Sequence, residues 1–166
     1  MKVERAWPPA LQYEASGLTL GKALKMIEGA KVKAEKINLA VTIAVCDAGG
    51  NLIALQRMDH SALLSIEIAI NKAHTGVFGM IPTQQWGGFF KGPSEKIAPL
   101  WFHTDWITFM GGFPVIINER IIGGIGVSGG TWEDGIVARA GLEAIGADLS
   151  GVDLSLQDMG VPGEKW

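Results

Sequence analysis

Cysteine is almost absent from this chain, with Cys46 the only one. That excludes an intrachain disulfide framework and any metal centre built on a cysteine cluster. Tyrosine is equally scarce, and positive charge is not in excess. Fourteen Lys and Arg stand against 17 Asp and Glu, for a formal net charge of −3. Charges of both signs mixed along the chain argue against nucleic-acid binding, which needs a basic face. No apolar run approaches the ~20 residues a helix needs to cross a bilayer. The first residues, MKVERAWPPALQYEASG, lack the apolar stretch of a secretory signal. The expectation is a cytoplasmic protein without membrane spans. Also missing are HExxH or HxH metal patterns, a CxxCH haem signature and a Ser-His-Asp order.

What is abundant is glycine and tryptophan. There are 23 glycines, roughly double the average usage. They cluster at turn positions, which suits tight hairpins and close backbone approach. Six tryptophans are unusual beside one tyrosine, and buried aromatics at subunit contacts are one explanation. At 166 residues and 48% apolar composition the chain is long enough for one domain with its own core. No internal repeat or linker divides it.

The most informative segment is VTIAVCDAGGNLIALQRM, residues 41–58. Two apolar runs flank Asp47-Ala48-Gly49-Gly50-Asn51, which predicts a hairpin with strands at 39–46 and 52–58 and with Asp47 capping the turn. GGFPVIINERIIGGIGVSGG, residues 111–130, predicts a second, pairing 114–118 with 121–127 about a turn near Asn118-Glu119-Arg120. Helical spacing predicts helices over 19–37, 62–78 and from Thr131 to about 145, with a short one near 83–90. Thr19 and Thr131 stand at N-cap positions, and Glu133 and Asp134 suit the positive end of the last helix. The apolar stripes read Leu20, Leu24, Ile27, Ala30, Ala34 and Ile37 in the first helix, and Leu63, Ile66, Ile70, Ala73 and Val77 in the second. Residues 1–17 read as an arm and 150–166 as a tail. Between 79 and 110, prolines and glycines interrupt a run of aromatics that includes Trp86, Phe89, Phe90, Trp101, Phe102, Trp106 and Phe109. A segment that apolar should fold over the core, a ligand or another subunit.

Taken in order, LTLGKALKMI, VTIAVCDAGGNLIALQRMD, LLSIEIAINKAHT and GGFPVIINERIIGGIGVSGGT resemble the GlcG/HbpS-like family, which includes the C-terminal domain of PduO-type proteins. The resemblance covers roughly residues 18–149. It implies an α+β, profilin-like fold: one domain with an antiparallel sheet of about five strands covered by helices. It implies self-association into dimers or larger homo-oligomers, and haem binding in some members. It also places a lysine at position 72.

Several residues could carry chemistry. Arg57 and Asp59, at the exit of the first hairpin, could grip a carboxylate or form a surface pair. Lys72 is the only lysine in an otherwise apolar helical stretch. It reads as an anion anchor, base or Schiff-base amine, or as the partner of Glu67 or another acid. Ser65 and Thr75 fall off the apolar stripe of the same helix. GGIGVSGG offers Gly126 amides and the Ser128 hydroxyl ahead of a helix, or simply close strand packing; a dinucleotide site lacks its βαβ setting. Of the three histidines, His103 in WFHTDW best suits a flat ligand or haem iron; no dedicated metal centre is expected. Cys46 reads as a small buried hydrophobe. Three functions follow: a small-molecule binder with haem as possible cofactor, a cofactor-free isomerase or lyase of small hydroxy or oxo acids in a pocket lined by Lys72, Arg57, Asp59 and Ser128 with Lys72 and Asp59 catalytic, or a non-catalytic accessory subunit.

Overall fold

The computed structural model describes residues 17–89 and 105–152. The arm at 1–16, the tail beyond 152, and Phe90, Trp101, Phe102 and His103 lie outside the described residues. The elements run α1 (Leu20–Lys36), β1 (Thr42–Asp47), β2 (Leu52–Arg57), α2 (Ser65–Gly79), α3 (Thr83–Phe89), β3 (Gly112–Ile117), β4 (Arg120–Ser128) and α4 (Glu133–Glu143).

Both hairpins form where turn chemistry places them. Asp47 closes the first, its carboxylate accepting from the Gly49 and Asn51 amides at 2.9 Å each, while Gly50 takes φ +78°. The second turns through Asn118 and Glu119, both at positive φ (51° and 62°). That left-handed pair matches the twist of the flanking strands. The two hairpins join through β1 and β4 into one antiparallel sheet, in the order β2-β1-β4-β3. The described residues thus give four strands, one fewer than the expected five. Two hairpins supply no more, and the connection between them is helical at α2 and α3.

The sheet has two unlike faces, because neighbouring residues of a strand point to opposite sides. Ile43, Val45, Phe113, Val115, Ile125 and Val127 form one core with Met26 and Ile27 of α1 and Val137 and Leu142 of α4. Thr42, Ala44 and Cys46 of β1 stand opposite Ser128, Gly126 and Gly124 of β4, and α2 lies over this small-residue face. A Cβ on Gly126 would fall 2.0 Å from the Ala69 carbonyl oxygen and 2.5 Å from the Ala73 nitrogen. Glycine there lets the helix backbone rest directly on the strand.

That close seat overturns most of the predicted stripe of α2, while in α1, on the other face, Ile27, Ala30 and Ala34 are buried as expected. In α2 the buried residues are Ser65, Ala69, Lys72, Ala73, Thr75, Gly76, Val77 and Gly79, whereas Leu63 is 75% exposed. Small side chains sit inside because nothing larger fits. In α1 the inner stripe is Ala23, Met26, Ile27, Ala30 and Ala34; Leu20 and Leu24 are exposed. Thr19 does cap α1, accepting from the Lys22 amide. Thr131 does not cap α4: Trp132 takes that position without a side-chain bond. Thr131 instead donates its amide and hydroxyl to Glu133. Among the described residues no helix is long and apolar enough to cross a membrane.

Candidate functional site

The small-residue face also carries the buried polar groups. Lys72 projects from the middle of α2 and is 1% exposed. Its Nζ donates to the Val127 carbonyl and to Asp134 Oδ2, both at 2.8 Å. Asp134, also 1% exposed, lies in the first turn of α4, and its Oδ1 accepts from the Gly130 amide at 2.7 Å. The pair therefore ties α2 to the start of α4 around the end of β4. Burial lowers the pKa of Lys72 and raises that of Asp134, and in each case the attraction of the partner opposes the shift. Of the two readings for Lys72, the ion pair is realised, with Asp134 rather than Glu67.

This pair forms the floor of a cleft of ≈330 Å³, within the range of small-molecule sites. Ile68, Phe109, Met110 and Trp132 supply apolar wall; Ser128 adds a hydroxyl to the floor. Phe109 is 56% exposed, and its ring centroid lies 5.7 Å from Lys72 Nζ, within cation–π range. Its strand of backbone is pinned from two sides. The Ile107 amide donates to Thr75 Oγ1 at 3.0 Å. The Thr83 hydroxyl donates to the Phe109 carbonyl at 2.6 Å and accepts from the Gly112 amide at 3.1 Å.

The predicted site residues thus separate into groups. Lys72 and Ser128 share the cleft. Gly126 lies beneath α2 as a packing position, and Thr75 orients the Phe109 segment. Ser65 belongs to a buried hydroxyl cluster with Thr42 and Ser61, at 2.7 and 2.8 Å. Arg57 and Asp59 line a different, open hollow beside Lys31 and Glu35, so one pocket holding Lys72, Arg57, Asp59 and Ser128 does not form. Among the described residues no ion pair joins Arg57 to Asp59. His60 is exposed and His74 faces Phe78, with ring centroids 6.1 Å apart; His103 lies outside the described residues. Among the described residues no cluster of three metal-ligating side chains exists.

Two motif spacings occur in the glycine run without their usual setting. Residues 124–129 read GxGxxG, but they lie in an antiparallel hairpin strand, so no βαβ phosphate cradle results. Residues 126–130 read GxSxG at a strand-to-helix turn. Ser128 there has no hydrogen bond to a base among the described residues, so no activated nucleophile is assembled among them. Sequence reasoning missed Asp134, Trp132 and Ile68 as site residues. The signal for Asp134 was indirect: a lysine within an apolar helix requires a buried acid somewhere.

With this geometry in place the comparisons are specific. The HbpS-like family, described as haem degrading protein HbpS-like, matches residues 18–143, and the chain belongs to it. It is 37% identical over 133 residues to an uncharacterised 15.0-kDa protein from the dhaT-dhaS intergenic region of Citrobacter freundii, covering 76% of this chain and 90% of the relative. A crystal structure of a PduOC:haem complex superposes with TM-score 0.73 at 27% identity, covering 79% of this chain and 96% of that one. A doubly substituted HbpS of Streptomyces reticuli does so with TM-score 0.73 at 29% identity, covering 85% and 98%.

Haem can be tested against the cleft directly. The apolar wall of Ile68, Phe109 and Trp132 suits the flat face of a porphyrin. The iron is another matter: among the described residues no histidine, cysteine or tyrosine lines the cleft. Met110 brings a thioether but is only 2% exposed, and Lys72 is committed to Asp134. The described lining fits the ring and not the metal.

Proposed function

We propose that this protein is a small-molecule-binding member of its family, that the cleft above Lys72 and Asp134 is its binding site, and that haem is the first ligand to test. The observation that carries the reading is the cleft itself: exposed aromatic walls over a floor of buried polar groups, on an otherwise tightly packed face. The haem complex of PduOC supports the choice of ligand. Any iron ligand would come from beyond the described lining, and His103 is the candidate.

The test is a haemin titration of the full chain. A saturable shifted Soret band is expected, weakened about tenfold or more by Phe109→Ala or Trp132→Ala and abolished or displaced by His103→Ala. Absence of a saturable band at micromolar haemin would remove haem as the ligand. Retention of the band in both wall variants would remove the cleft as its site.

A second reading rests on Lys72 and Ser128 sharing the cleft, and the shift of the lysine accords with it. Burial lowers the Lys72 pKa, a condition that suits amine or base chemistry on a carbonyl compound. A cofactor-free isomerase or lyase would then use Lys72 and Ser128, without a carboxylate clamp at Arg57 or a catalytic Asp59. Self-association into homo-oligomers accompanies either reading; sedimentation velocity of the full chain checks it.

A further inference from the structure

An ammonium carries three N–H donors, and at Lys72 only two are engaged, by Val127 and Asp134. The third has no acceptor among the described residues. Ser128 Oγ is in the same position: the residue is 6% exposed, lines the same cleft, and makes no hydrogen bond among the described residues. Two unfulfilled polar groups therefore share one floor beneath an apolar wall. The Ser128 hydroxyl opens to the cleft rather than being sealed in the core, so a ligand atom there replaces water as its partner.

The electrostatics restrict what that partner is. Asp134 lies 2.8 Å from Lys72 Nζ, so the floor holds a charge and its countercharge. If the proton moves across, an amine faces a carboxylic acid; the net charge is zero in both states. Asp134 Oδ1 is already taken by the Gly130 amide, which leaves the carboxylate fixed in place. A second carboxylate entering the cleft would lose its hydration and meet Asp134 as well as Lys72, a cost that the single spare N–H does not offset. A neutral oxygen needs only the donor.

We propose that the floor of the cleft recognises an uncharged oxygen, the carbonyl of a ketone, aldehyde or amide, or a hydroxyl, held by Lys72 and Ser128 with the apolar part of the molecule against Phe109 and Trp132. The inference rests on the cleft being the binding site and names the class of small molecule its floor holds; haem, whose oxygens are carboxylates, would occupy the apolar wall without using that floor. It turns preference away from the small acids that Arg57 would have served had it shared the pocket.

A matched pair of probes tests it: acetophenone and benzoate, titrated into the full chain and followed by ¹H–¹⁵N NMR at the Ser128 amide and the Trp132 indole. Acetophenone is expected to shift both signals saturably, with a Kd at least tenfold below that of benzoate. Ser128→Ala, which adds no bulk and whose fold is checked from its spectrum, should weaken acetophenone about five- to tenfold, as expected for one lost hydrogen bond. Benzoate binding at the same signals as tightly as acetophenone overturns the inference and leaves the cleft standing as a site. An unchanged affinity in Ser128→Ala overturns the role of the hydroxyl. If neither probe moves those signals while haemin still binds there, the inference fails and the cleft stands; if haemin fails to bind there as well, both fail.

Discussion

On one face of the sheet, Ile43, Val45, Phe113, Val115, Ile125 and Val127 meet α1 and α4 in a dry aliphatic layer. On the other, Thr42, Gly124, Gly126 and Ser128 meet α2 through small side chains and bare backbone. The first face follows the usual rule that apolar area removed from water drives folding. The second buries little hydrocarbon, yet it holds Lys72, Asp134, Ser65, Thr75 and Thr83. Steric fit and satisfied polar groups replace apolar burial there. The cleft opens on this second face, so its floor carries polar groups while the core behind stays intact.

The comparison can be broken most forcefully at the ion pair. Asp134→Ala leaves a buried ammonium without its countercharge and should cost ~3–5 kcal/mol in urea unfolding. The double variant Lys72→Met with Asp134→Leu should recover much of that loss, since the desolvation penalty disappears with both charges. If the single and double variants are equally unstable, the pair is not what strains and holds this face.

Adjacent residues of β4 give a finer test. Ile125→Val removes one methylene from the dry face and should cost ~1 kcal/mol. Gly126→Ala adds one methyl to the other and should cost ~3 kcal/mol, because the new Cβ collides with backbone of α2 that cannot rotate away. Equal costs would mean that the two faces tolerate volume change alike.

Cys46 lies on the small-residue face and is fully buried. Burial pushes its thiol up from 9.0 to about 12. A thiol reagent at pH 8 should therefore react only after unfolding, at a rate set by opening. Because the folded-state pKa is raised, this group's contribution to stability is whole below about pH 9 and is lost as pH rises through about 12. In Cys46→Ala the fall in stability between about pH 9 and 12 should be shallower; an unchanged slope would contradict the thiol as its source. The smallest effect belongs to Arg57→Ala and Asp59→Ala. Both residues are exposed beside a separate hollow, so stability should change by less than about 0.5 kcal/mol and affinity in the cleft not at all.

The dry face and its hairpins were legible from sequence, because turn chemistry and alternation are local. Asp47 capping its own turn and Asn118-Glu119 reversing the chain need only a few neighbouring residues. The other face was read poorly. Hydrophobic spacing puts Leu63 on the buried stripe of α2 and leaves Ser65 and Thr75 off it, since apolarity is a guide only where hydrocarbon does the packing. Gly126 beneath Ala69 signals the true contact, but the signal emerges only when two segments 57 positions apart are brought together. Asp134 is 62 residues from Lys72, and its position in the first turn of α4 already had a local explanation in the helix dipole. Arg57 and Asp59 were grouped with Lys72 by resemblance of chemistry, and the sheet separates them.

Haemin is paramagnetic as well as coloured, so one NMR titration locates it while it binds. The account predicts selective broadening of Ile68, Phe109 and the Trp132 indole, with Leu55, Arg57 and Asp59 left sharp. Broadening centred on Leu55 to Asp59, or spread evenly over the surface, would contradict a binding site above Lys72 and Asp134.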